Sequence, residues 1–268
     1  MPILEARRLV KSFGRRTVVK GVDIRLESGQ IVGFLGRNGA GKTTIFQMIV
    51  GLLRPDEGEI RLDDENISNW PTDKRAAAGV TYLPQENSIF LKTTVAGNLR
   101  MALELLPYTK SERGPAAREL LEEFGLTGLA AQPAHSLSGG ERRRLEIARA
   151  LTLRPKFVIL DEPFTGIDPL TVLEIQRILL RLKDKGIGIL ISDHNVRDTF
   201  KISDRTLIID QGEVLVEGAP AMVAADAAAR ERFLGTAFAF GEERRLQDLR
   251  EAIRSPSVSP KKNRNRNK

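Results

Sequence analysis

Cysteine is missing from all 268 residues. Its absence excludes a disulfide framework and any zinc or iron–sulfur centre built on thiolates, and it suits a reducing compartment. Long apolar runs are missing too. No stretch approaches the ~18 consecutive apolar residues of a membrane-spanning helix, and Met1-Pro2-Ile3-Leu4-Glu5-Ala6-Arg7-Arg8 lacks the apolar core of a signal peptide. The expectation is a soluble protein whose membrane work requires partner subunits. Acids are absent from residues 255–268, where Lys261, Lys262, Arg264, Arg266 and Lys268 stand among Ser, Pro and Asn. Those five cations account for most of the formal charge of +7, so the rest of the chain is close to balanced. The composition reads as a disordered basic tail, either solvated without a partner or drawn to anionic lipid or nucleic acid. No internal repeat of roughly 20–50 residues is present. The length suffices for one large domain or two small ones.

What is present is organised around Gly36-Arg37-Asn38-Gly39-Ala40-Gly41-Lys42-Thr43-Thr44, which fits G-x-x-x-x-G-K-[ST]. Gln30 to Leu35 upstream is an apolar run of buried-strand type, and Ile45, Met48, Ile49, Leu52 and Leu53 recur downstream at helical spacing. Glycines at 36, 39 and 41 let several N–H groups face inward, and the helix opening near Lys42 adds its positive end, so the loop suits a triphosphate. Lys42 would bridge the β- and γ-phosphates, and Thr43 would offer its hydroxyl to Mg²⁺. Thr44 is read as a phosphate or helix-start contact.

Residues 3–10 and 18–26 alternate as strands, with Ser12 to Arg16 as their turn. Phe13 in that turn could stack on an adenine ring or fold onto its own hairpin; both readings stay open. Residues 58–62 and 79–83 also read as strands, and the second ends in Pro84-Gln85. A glutamine there can reach a Mg²⁺-bound water or simply bridge backbone. Helical spacing runs from Thr94 to about Phe124, divided by Pro107 and by Gly114-Pro115.

Leu137-Ser138-Gly139-Gly140-Glu141 opens a further helix. Ser138 and Glu141 form a capping box, and two glycines in a first turn, at roughly 1 kcal/mol each, make sense if bare N–H groups approach an anion. Arg142, Arg143 and Arg144 read as a solvated face. The apolar strand 157–160 ends in Asp161 and Glu162. Of these, Asp161 could hold Mg²⁺ through water, and Glu162 could orient or deprotonate an attacking water. A later strand, 186–192, delivers Asp193-His194 at its tip, where His194 is positioned to hydrogen-bond a γ-phosphate. His135 is read as structural. Residues 205–217 form a hairpin turning at Gln211-Gly212, 219–234 are helical, and Leu246, Leu249 and Ile253 mark an amphipathic helix.

Phosphate loop, LSGGE, apolar strand ending in Asp-Glu, and strand ending in His follow the order and spacing of the ATP-binding cassette ATPases, a resemblance covering residues 3 to about 240. It implies an α/β P-loop NTPase fold with a RecA-like core, an N-terminal antiparallel β subdomain and a helical subdomain carrying the signature (insert about 87–155), followed by a C-terminal amphipathic helix (241–254) and the basic tail. It implies ATP and Mg²⁺ as ligands, with Thr43, Gln85 and Asp161 around the metal. Under the same resemblance Phe13 is the adenine-stacking aromatic, Gln85 the glutamine linking the site to a membrane partner, Glu162 the catalytic carboxylate, Asp168 a cross-dimer contact and His194 the switch histidine. Because the glycine-rich helix start lies too far from its own phosphate loop, two copies head to tail would sandwich each ATP between one loop and Ser138, Gly139 and Gly140 of the other.

Within the family, residues 83–90, 137–151, 161–169 and 192–197 look most similar to the cytoplasmic ATPases of lipopolysaccharide export. That resemblance implies a homodimer beneath two inner-membrane subunits, peripheral on the cytoplasmic face, with Ile89 and Phe90 lining a groove for a membrane partner's helix and no direct nucleic-acid contact. The rival reading is the ATPase of a branched-chain amino-acid importer. A cassette protein of chromosome maintenance would need hundreds of residues between phosphate loop and signature, whereas 96 separate Lys42 from Gly139. A translation-factor relative would carry two cassettes, and a non-hydrolysing binding module is disfavoured by intact Glu162 and His194.

Overall fold

The computed structural model describes residues 1–86, 88–238, 240 and 250–251. Two sheets are built from alternating and continuous apolar strands respectively. In the first, β1 (Ile3–Phe13) and β2 (Arg16–Glu27) pair antiparallel, and β4 (Glu57–Leu62) and β5 (Glu65–Asn66) extend the sheet in the order β2-β1-β4-β5. The turn between the first two strands is shorter than the expected Ser12–Arg16. Ser12 and Thr17 are paired, as are Phe13 and Arg16, so only Gly14 and Arg15 remain outside the ladder.

The second sheet holds β3 (Ile31–Gly36), β6 (Val80–Leu83), β7 (Phe157–Asp161), β8 (Gly188–Ser192), β9 (Arg205–Asp210) and β10 (Glu213–Gly218), ordered β10-β9-β3-β8-β7-β6. Strands β6, β7, β8, β3 and β9 run parallel, and β10 closes the edge antiparallel. Every residue of β3, β7 and β8 is buried, as strands covered on both faces must be. Parallel pairing brings the carboxyl ends of β3, β6, β7 and β8 to one edge, where open α/β sheets bind ligands.

Helices α1 (Lys42–Val50), α2 (Thr72–Ala77), α3 (Val95–Glu104), α4 (Lys110–Glu123), α5 (Gly139–Leu151), α6 (Pro169–Asp184), α7 (Val196–Ile202) and α8 (Pro220–Ala225) cover the sheets. One core lies between the parallel sheet and α3 to α6, with Leu99, Leu121, Leu145, Leu160 and Leu179 fully or almost fully buried. A second joins the two sheets around α1 through Phe34, Phe46, Leu9, Ile24 and Ile60. Among the described residues no helix is long and apolar enough to cross a membrane.

Three local expectations change. Gly114-Pro115 does not divide the helix, because Thr109 and Glu112 form a capping box that starts α4 upstream and leaves Pro115 inside it. The expected helix over 219–234 breaks at Asp226, whose extended backbone and carboxylate cap a new turn at Ala229. The anticipated helix at 241–254 and the tail 255–268 lie outside the described residues, except Arg250 and Glu251, which are helical. Arg250 donates to the carbonyls of Lys201 and Ser203 and to Asp204.

Candidate nucleotide site

The phosphate loop joins β3 to α1. Gly41 sits at φ 110°, a left-handed value open mainly to glycine, and a Cβ there would stand 3.1 Å from the carbonyl of Val18. Helix α1 begins at the next residue. Lys42 is almost fully buried, and its Nζ donates to the carbonyls of Gly36 (2.7 Å) and Arg37 (3.2 Å). Burial pulls its ammonium below the ordinary lysine value, against the opposing charges of Glu162, Asp161 and Asp193. Arg37, Asn38 and Gly39 are exposed, and Ala40 is buried. A cavity of about 410 Å³ adjoins the loop, lined by Arg37, Asn38 and Gly39 and by Arg16, Val18 and Lys20 of β2. Phe13 is half exposed at the end of β1, with Lys11 Nζ 5.9 Å from its ring centre, and does not line that cavity.

Two acids meet the loop from β7. Asp161 is 1 % exposed, and its Oδ2 accepts from Thr43 Oγ1 at 2.8 Å. A hydroxyl and a carboxylate in contact are a hard-oxygen pair of the kind that holds Mg²⁺ alongside substrate phosphates and water. Among the described residues no three His, Cys, Asp or Glu cluster as a metal cage. Thr44 is half-buried in the first turn of α1.

Glu162 begins the turn after β7 at φ 48°, an uncommon backbone for a non-glycine residue and one met at functional turns. Its N–H is tied to the carbonyl of Ser192 at 2.9 Å. Its Oε2 accepts from Gln85 Nε2 (3.0 Å) and Thr165 Oγ1 (3.1 Å), and His194 Nδ1 lies 3.6 Å away. The amide nitrogen of Gln85 reaches Glu162 because the tip of β6 flanks that of β7. His194 also contacts Thr165 Oγ1 at 3.2 Å. Beneath it Asp193 is fully buried and accepts from the N–H groups of Phe164 and Asn195, stapling the Glu162 turn to the histidine turn. Burial pushes its pKa above the ordinary aspartate value.

Ser138 and Gly139 are exposed, and Gly140 is buried at the start of α5. The capping box forms: Ser138 Oγ accepts from Glu141 N at 3.3 Å, and Glu141 Oε2 accepts from Ser138 N at 2.8 Å. The two glycines differ. A Cβ on Gly139 would meet only the Gly166 carbonyl at 3.9 Å, whereas one on Gly140 would lie 2.1 Å from Thr171 Cγ2. Asp168 caps α6, accepting from the N–H groups of Leu170 and Thr171 and from the Thr171 hydroxyl.

The three arginines that follow are not a solvated face. Arg143 is buried and paired with Glu146 at 2.8 Å, while its other nitrogen contacts reach the carbonyls of Pro84 and Asp161 at 3.4 Å. Arg144 binds Glu174, and Arg142 is half-buried. The cause is that α5 packs its first two turns into the sheet edge, where a long guanidinium spans the gap between strand tips. Ile89 does not line a groove either; it is buried in the core. Phe90 does, 48 % exposed beneath the Arg149 guanidinium, in a depression of about 450 Å³ with Leu83, Met101 and Leu105.

Sequence reasoning missed Tyr82, Ser192, Asp193, Thr165 and Arg143 as members of the site. Ser192 and Asp193 could have been suspected from adjacency to His194; no local pattern marks Thr165 or Arg143.

The profile of the family described as "ABC transporter" matches residues 19–165. Over 236 residues the chain is 49 % identical to the lipopolysaccharide export system ATP-binding protein LptB of Acidithiobacillus ferridurans, covering 88 % of this chain and 98 % of that protein. The protein of the same name from Escherichia coli K12 is 46 % identical over 239 residues, with coverages of 89 % and 99 %. Among solved structures, the ADP conformation of MJ1267, an ATP-binding cassette of an ABC transporter, superposes with TM-score 0.79 at 28 % identity, covering 88 % of this chain and 99 % of its own. With the phosphate loop, the carboxylate pair and the glycine-rich helix start all in place, the chain belongs to the ABC transporter family, as one of its ATP-hydrolysing cassettes.

Proposed function

We propose that this chain is the ATP-hydrolysing subunit of a lipopolysaccharide exporter, lying on the cytoplasmic face of the inner membrane beneath two membrane subunits. The ATPase part rests above all on Glu162, whose carboxylate is held by Gln85 and Thr165 beside His194 and one residue beyond the Thr43–Asp161 pair. The cargo part rests on similarity to LptB proteins along nearly their whole length.

In this reading the N–H groups of residues 36–41 and Lys42 cradle the phosphates, and Phe13 stacks on the adenine. Thr43 and Asp161 would hold Mg²⁺, which when bound neutralises phosphate charge. Glu162 orients a water and accepts its proton as the water oxygen bonds to the γ-phosphorus and the bond to ADP breaks. His194 hydrogen-bonds the γ-phosphate. Ser138, Gly139 and Gly140 of a second copy complete the site, so that ATP closes a homodimer and hydrolysis opens it. Phe90 and its groove receive a helix of the membrane partner; a Phe90→Ala variant that assembled normally would argue against that assignment. The unmatched C-terminal residues are left without a role, contact of the basic tail with anionic lipid included.

The test is affinity co-purification from detergent-solubilised membranes with tagged Glu162→Gln protein. Recovery of two export subunits supports the reading. Recovery of amino-acid importer permeases with a second ATPase overturns the cargo while keeping the enzyme, and recovery of no membrane protein overturns the transport role.

A further inference from the structure

Asp161 is held by three hydroxyl groups from three different segments. Its Oδ1 accepts from Ser192 Oγ at 2.5 Å, and its Oδ2 accepts from Thr43 Oγ1 at 2.8 Å and from the Tyr82 hydroxyl at 3.3 Å. The carboxylate is sealed from solvent, so no water can replace a lost donor. The three donors are not equivalent. Ser192 lies on β8 and serves the oxygen away from the phosphate loop, while also contacting the Glu162 N–H at 3.4 Å. Thr43 belongs to the loop itself, and in the proposed function its hydroxyl turns to the cation. That leaves Tyr82 as the protein donor on Oδ2.

Tyr82 is built for such a task. It stands on β6, paired in parallel register with β7, and its ring packs partly buried against the core around α1. Two aromatic torsions locked by packing place the hydroxyl with little freedom to swing away.

We propose that Tyr82 is a positioning residue for the metal: it holds Oδ2 of Asp161 toward Thr43, so that the two oxygens present a preset edge to Mg²⁺. The proposal rests on reading Thr43 and Asp161 as the metal-holding pair. Residues that orient metal ligands in this way are worth about 10- to 100-fold in metal affinity when removed.

The experiment uses the full chain carrying Glu162→Gln, with and without Tyr82→Phe, loaded with a non-hydrolysable ATP analogue and titrated with Mn²⁺ by electron paramagnetic resonance. Loss of the hydroxyl should weaken Mn²⁺ binding about 10-fold. Analogue binding in EDTA should not change, because phosphate-loop contacts remain, and the melting temperature should fall by a few degrees at most, because the ring still packs and Thr43 and Ser192 still donate to Asp161. A Ser192→Ala variant, which removes the donor to the other oxygen, should weaken Mn²⁺ less. Unchanged Mn²⁺ affinity in Tyr82→Phe overturns the inference alone, as does an equal loss of analogue binding in EDTA, which would mean general damage. A parent protein that binds the analogue but no Mn²⁺ overturns the metal-pair reading together with the inference.

Discussion

The two surfaces that carry the family's motifs are built in opposite ways. At the strand tips, Asp161, Ser192 and Asp193 are sealed in, both oxygens of Asp161 accept from other segments, and Glu162 accepts from Gln85 on the neighbouring strand tip. At the start of α5, Ser138 and Gly139 are exposed, and the capping partners of Ser138 come from Glu141 within the same turn. One region is pre-organised chemistry; the other is a self-contained cap presented outward. The difference fits a site whose second half comes from another copy. A surface that must open and close cannot be woven into its own core, whereas carboxylates that steer a reaction must be fixed before it starts.

The largest expected effect breaks the chemical half. Glu162→Gln should lower phosphate release about 10²- to 10⁴-fold, the usual worth of a general base, while nucleotide binding survives. Measured turnover near that of the parent would move the base elsewhere. Next in size is a test of whether the halves come from different copies. Lys42→Ala and Ser138→Arg should each abolish turnover alone, yet an equal mixture should recover up to about a quarter of it, because mixed twofold dimers keep one intact site. No recovery on mixing, with dimers shown to exchange, would place both halves in one copy.

A smaller effect separates the two glycines. Gly140→Ala forces a methyl into Thr171 and should cost about 1–3 kcal/mol in denaturant unfolding. Gly139→Ala enters open space and should leave stability equal or slightly higher, while ATP-dependent dimerisation weakens. The smallest effect is a pH dependence. The N–H and hydroxyl of Ser138 hold the Glu141 carboxyl below its ordinary value of 4.5. A lowered carboxylate stabilises the fold above its unfolded value and loses that contribution as pH falls through the lower folded value. Acid unfolding curves should therefore show a small loss below about pH 4.5 that Glu141→Gln removes, since glutamine still caps but does not titrate.

How much could be read in advance depended on the distance between partners. The phosphate loop and the capping box were legible because their hydrogen bonds close within a few residues. The strands ending in Asp161-Glu162 and Asp193-His194 were legible as strands, from unbroken apolar runs. Gln85 illustrates the limit: its amide meets Glu162 across 77 residues of chain, a contact set by strand neighbourship, which no local pattern records. The arginines after Glu141 show another limit. Three consecutive cations read as solvated, but the face of α5 that carries Arg143 is turned inward, where Glu146 offsets the charge.

By itself, the sequence determined the backbone chemistry: which turn can nest a phosphate, which helix is capped, and where acids end an apolar strand. Those properties depend on residues adjacent in the chain, whose geometry is set by φ, ψ and side-chain reach. Tertiary structure alone decided which side chains hold those acids, that Gly140 is required by Thr171 rather than by openness, and that Phe90 faces a groove while Ile89 enters the core. The reason is that a parallel sheet gathers strand tips from distant parts of the chain onto one edge, and burial there assigns each polar group its partner.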